Sequence, residues 1–95
     1  MTTFQEKCRG RIEQTLRQYK LEASFDVIIG ASEDYLVGHV TLGGTESRIY
    51  IYGGEAGLAR NKGHWRCFER YDYSSGHDLI DAFCRYLEQV IVGEK

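Results

Sequence analysis

Apolar residues recur at three- and four-residue steps from Phe4 through Cys8, Ile12 and Leu16 to Tyr19, the stripe of an amphipathic helix. Thr3, followed three residues later by Glu6, supplies the polar pair that starts such a helix. The other side of the stripe mixes Lys7, Arg9, Arg11 and Arg17 with Glu6 and Glu13, and reads as a solvated face. Gly10 falls on that polar side at a cost of about 1 kcal/mol relative to alanine, and reads as a tolerated defect more than as a point of close approach.

The period then changes from helical to alternating. Phe25, Val27 and Ile29 share one side of a first strand. "YLVGHVTL" and "TESRIYIY" follow, joined by Gly43-Gly44, a two-residue connection that favours a hairpin with a primed turn. That loop length fixes the register. Leu42, Val40, Gly38 and Leu36 oppose Thr45, Ser47, Ile49 and Ile51 on an apolar face, while His39, Val37 and Tyr35 oppose Arg48, Tyr50 and Tyr52 on the other. "GGEAGLARNKG" reads as a glycine-rich loop able to hold one helical turn. "HWRCFERY" is a last strand, and Leu79, Ile80, Phe83, Leu87, Val90 and Ile91 form the apolar stripe of a final helix begun by Ser75 and Asp78.

These elements predict an α+β fold: a four-stranded, mainly antiparallel sheet with the N-terminal and C-terminal helices packed on one face, in the order α-β-β-β-β-α, and the other face open. Residues 1–95 are read as one domain, since the chain has 95 residues, no proline and no linker-like stretch. The order of elements is similar to that of frataxins. The match is in order alone, because a chain without proline lacks that family's strand signature and Lys7, Arg9 and Arg11 interrupt its acidic ridge, so no iron site is carried over.

Composition narrows the classes of function. With 42% hydrophobic and 27% charged residues and a formal charge of -2, the chain is neither disordered by composition nor broadly polycationic. No run approaches a bilayer-spanning length and the start lacks the apolar core of a secretory signal, so the expected location is the cytoplasm, with no membrane partner. Three scattered cysteines, Cys8, Cys67 and Cys84, fit reduced thiols better than a disulfide framework.

The open face is the candidate site. It is expected to carry Tyr35, His39, Arg48, Tyr50 and Tyr52. From the last strand it takes either Arg66, Phe68 and Arg70 or Trp65, Cys67 and Tyr71. The first set is chosen because tryptophan and cysteine suit a core. Tyrosine and arginine are favoured at interfaces, so the expected function is non-enzymatic binding through an aromatic and basic face. The partner is a second copy, giving a homodimer, or another protein. An alternative is a small-ligand site or enzyme with a pocket between the sheet and the 53–63 loop, where Glu55, Arg60 and Lys62 reach over the tyrosines. Single-stranded nucleic acid, stacked on Tyr50, Tyr52 and Phe68, ranks below both. His64, Cys67, His77 and Cys84 match no familiar zinc spacing, and Ser75, His77 and Asp78 stand too close together for a catalytic triad. No catalytic residue, metal or cofactor is assigned.

Overall fold

A computed structural model of the chain describes residues 3–60 and 64–93. Helix α1 (Phe4–Gln18) is followed by strands β1 (Ser24–Ile28), β2 (Tyr35–Leu42), β3 (Thr45–Ile51), β4 (Glu55–Arg60) and β5 (His64–Glu69), then by a 3-10 turn (Arg70–Asp72) and helix α2 (Gly76–Gly93). The sheet is a five-stranded antiparallel meander in the order β1-β2-β3-β4-β5. It therefore has one strand more than the sequence pattern predicts. The extra strand is "EAGLAR", within the stretch whose glycines suggest a loop: its alanines and glycine carry little strand propensity, and pairing with β3 and β5 decides its conformation instead.

Local chemistry accounts for the ends of the elements. The Glu6 N–H donates to Thr3 Oγ1 at 3.2 Å, and the Asp78 N–H donates to Ser75 Oγ at 3.1 Å, so both helices start at the residues whose hydroxyls were expected to begin them. At the end of α1, Lys20 takes a left-handed φ of 59° and the Leu21 N–H turns back to the Leu16 carbonyl at 2.9 Å. Gly43 and Gly44 both take positive φ, 57° and 82°, as a primed two-residue turn requires. The β2–β3 register follows from that turn: Leu42 opposes Thr45, Gly38 opposes Ile49 and Leu36 opposes Ile51.

Both helices lie on one face of the sheet. Leu36, Val40, Leu42, Ile49, Ile51, Ala56, Leu58 and Phe68 meet Cys8, Ile12 and Leu16 of α1 and Leu79, Phe83 and Leu87 of α2 in one buried cluster. Phe83 stands edge-on to Phe68 with the ring centres 5.5 Å apart. The small side chains of Ala56 and Gly57 leave room on both faces of β4, and Ala56, Gly57 and Leu58 are all buried. The edge strand β1 differs. Phe25 packs over Gly38 and under Arg9 of α1, whose guanidinium lies 5.1 Å from its ring centre, but Val27 is 62% exposed and Ile29, just past the strand, 80%. Among the described residues, no helix is long and apolar enough to cross a membrane.

Candidate functional site

The face turned away from the helices is built in rows by the strand register. One row runs Ser24, His39, Arg48, Ala59, Trp65; the next runs Asp26, Val37, Tyr50, Gly57, Cys67. A third begins with Ile28 and Tyr35, continues through Tyr52 beside Tyr35, and ends with Glu55 opposite Glu69. Aromatic rings fill the middle. Tyr35 and Tyr52 have centres 4.9 Å apart, Tyr50 and Tyr52 lie 6.4 Å apart and nearly parallel, and Trp65 meets Tyr50 edge-on at 5.5 Å. Val37 is covered by these neighbours and is only 6% exposed, so the tyrosines have a packing duty as well as an exposed surface.

Charge is unevenly placed on this face. Asp26, Glu46, Glu55 and Glu69 project from it, against Arg48 and His39. Arg48 stands over the Tyr50 ring at 6.0 Å, and His39 Nε2 lies 3.9 Å from Asp26 Oδ2. Glu55 and Glu69 are direct cross-strand partners, two acidic residues at neighbouring positions on one side of the sheet's corner. Their effect reaches nearby acids. Partial burial and then the Glu55 and Glu69 charges push the Cys67 thiol up, and its Sγ donates to Glu55 Oε2 at 3.8 Å. A hydrogen bond to Glu69, followed by that carboxylate's charge, raises the Tyr71 phenol. Tyr52 is raised first by partial burial, then by Tyr35 and Tyr50, with Cys67 and Glu55 contributing less.

The candidates named from sequence divide between two places. Tyr35, His39, Arg48, Tyr50 and Tyr52 come together on the open face. Arg66, Phe68 and Arg70 do not. Phe68 opposes Ala56 in the core and is 5% exposed, and Arg66 lies over the Phe68 and Tyr86 rings at 5.0 and 5.2 Å on the helix side. The choice between the two sides of β5 is thus reversed, and Trp65 and Cys67 are the residues that face outward. The reason is Gly57. The indole of Trp65 lies across its backbone, where any side chain on β4 would stand, so a large ring outside costs little exposure of the sheet itself. Without Arg66 and Arg70 the described residues of the face are aromatic and more acidic than basic.

The loop candidates also separate. Glu55 reaches the tyrosine face from β4, Arg60 continues the helix-facing row of Ala56 and Leu58, and Lys62 lies outside the described residues. The expected pocket between the sheet and a 53–63 loop is not formed as such, because residues 55–60 are a strand. A cleft of about 680 Å³ opens instead on the helix side of Gly53 and Gly54, walled by the first turns of α1 and α2 and by Arg70. Ser75 caps α2, and His77 Nε2 lies 3.3 Å from Asp81 Oδ2, which leaves Ser75, His77 and Asp78 without a triad's geometry. No group of three or more His, Cys, Asp or Glu among the described residues could hold a metal ion. No protein-family model, no curated protein and no solved structure matches this chain.

Proposed function

We propose that this chain is a non-enzymatic binding protein whose open sheet face docks another protein through a protruding lysine or arginine side chain of that partner. One observation carries this reading. The row that begins with the close ring pair of Tyr35 and Tyr52 ends in two acidic residues, Glu55 and Glu69, directly opposite each other in the strand register. Like charges directly opposite across a ladder destabilise a sheet, and a cation seated between them removes that cost. The adjoining tyrosine faces attract the same cation through their ring quadrupoles. Aromatic area with charge at its rim is also the make-up of protein interfaces.

Charge separates this occupant from its rivals. Among the described residues the face holds four carboxylates (Asp26, Glu46, Glu55, Glu69) against one guanidinium (Arg48) and one imidazole (His39). A second copy seated face to face brings the same excess of carboxylates, and a nucleic-acid strand brings phosphates. Both meet repulsion where a basic protein surface meets attraction.

The test uses the emission of Trp65, the chain's single tryptophan, which stands beside the site. A short peptide alternating arginine and serine should change that emission saturably and less strongly as salt is raised. A glutamate–serine peptide of equal length should leave it unchanged. Glu55→Gln with Glu69→Gln should weaken the response by about tenfold or more, the scale of one lost charge-assisted contact. An equal response to the acidic peptide, or none to the basic one, overturns the reading. So does a stable dimer in light scattering that Tyr50→Asp with Tyr52→Asp converts to a folded monomer, since that gives the face to a second copy.

A further inference from the structure

We propose that the cleft on the helix side of the sheet is a second binding site, for a small organic monocarboxylate with an aryl or alkyl body. The cleft, about 680 Å³, falls within the range of sites that enclose such molecules. Phe4 and Ile80 give it an apolar wall, which suits the body of the ligand. Lys7, Arg11 and Arg70 line it against one carboxylate, Glu6, which suits an anionic end.

The three cations are not equivalent. Arg11 Nη1 is already paired with Asp81 Oδ1 at 2.8 Å. Arg70 is held by the carbonyls of Tyr73 and Ser74, at 2.8 and 3.5 Å, which orients its guanidinium without neutralising it. Lys7 has no ion-pair partner among the described residues, and its flexible stem allows the ammonium to swing over the opening. Arg70 and Lys7 are therefore the pair available to a carboxylate.

Gly10 supplies an independent argument. It sits in the interior of α1, where glycine is unfavourable, and no packing demands it: a Cβ built there meets nothing within 4 Å. Yet Gly10 lines the cleft, so the missing side chain is what keeps that wall open. The residue read from sequence as a tolerated defect thereby gains a role, admitting the ligand close to the α1 backbone. The site lies across the sheet from the aromatic face and does not depend on how that face is used.

Amide NMR shifts test the proposal, with 4-phenylbutyrate as probe and the uncharged 4-phenylbutyramide as control. The acid should give saturable shifts at Lys7, Gly10 and Gly54, and the amide should bind about tenfold more weakly or not at all. Gly10→Leu should melt no lower than the parent and should abolish the shifts, because the new side chain occupies the cleft. Lys7→Gln with Arg70→Gln should bring the acid down to the level of the amide in a protein whose cleft is otherwise intact. No saturable shift with the acid, equal binding of acid and amide, or binding that survives Gly10→Leu each overturns it.

Discussion

Trp65 lies across the backbone of Gly57: a Cβ at Gly57 would come within 2.5 Å of the indole Cη2, and the ring that rests there meets Tyr50 edge-on at 5.5 Å. The glycine and the tryptophan thus share one site on the open face. Gly57→Ala should force the indole outward and cost about 1–3 kcal/mol, the usual range for adding a methyl group where packing is closed. Tryptophan emission should shift to longer wavelength as the ring enters water, and urea unfolding should give the stability change. An unshifted emission spectrum would show that the ring does not rest on the glycine.

The two sides of β5 should respond oppositely to truncation. Phe68 is 5% exposed and packs on Phe83 and Tyr86, whereas Trp65 is 51% exposed. Phe68→Ala is expected to cost about 3–5 kcal/mol through lost burial and the cavity left behind. Trp65→Ala should cost about 1 kcal/mol, since a half-exposed ring gives up far less buried area. Denaturant midpoints for the two variants check the order. A larger loss for Trp65→Ala would invert the assignment of faces.

The same strand marks where the sequence stops being legible. Both helices, their caps, and the β2–β3 hairpin with its register could be read directly, because heptad-like spacing, cap hydroxyls and a Gly-Gly turn are local signals. Strand β4 could not, since Ala56, Gly57 and Ala59 carry no alternation of size or polarity, and their conformation is set by neighbours distant in sequence. The side of β5 followed from β4. A tryptophan judged alone belongs in a core, and only the glycine opposite makes an outward tryptophan favourable. Five open-face residues, Tyr35, His39, Arg48, Tyr50 and Tyr52, are therefore legible through the hairpin, while Trp65, one of two alternatives for the last strand, falls on the side the sequence disfavours, and Glu69 is not legible without β4. The cleft needed tertiary structure outright, since α1, α2 and Gly53-Gly54 meet only in the fold.

Cys8 makes stability depend on alkaline pH. Burial first, with a smaller contribution from the Cys84 thiol and an opposing one from Arg11, pushes its thiol from 9.0 up to about 12. In the unfolded chain the thiol loses its proton near pH 9; in the folded protein it keeps it until about 12. The stabilisation is fully present below pH 9 and is lost as pH rises through that window, because the unfolded state then binds fewer protons than the native one. The slope is about 1.4 kcal/mol per pH unit for this group. Urea unfolding from pH 8 to pH 10.5 should show the fall, and Cys8→Ala should reduce it while lowering stability at pH 8. A pH dependence unchanged by Cys8→Ala would remove this cysteine as its source.

Glu55 and Glu69 link stability to binding through a single pair of side chains. They are cross-strand partners on β4 and β5 beside the Tyr35–Tyr52 ring pair, and like charges at such opposing positions destabilise a ladder. Glu69→Gln should therefore raise the unfolding free energy, by up to about 1 kcal/mol at low salt and less at high salt, where the repulsion is already screened. The same variant should weaken the response of Trp65 emission to an arginine–serine peptide, because the cation then meets one carboxylate in place of two. Gain of stability with loss of binding is the signature expected of a charge pair held apart for a partner. A variant that loses both would make Glu69 a structural residue whose contact with Tyr71 matters more than its repulsion from Glu55, and would leave the corner without its role in docking.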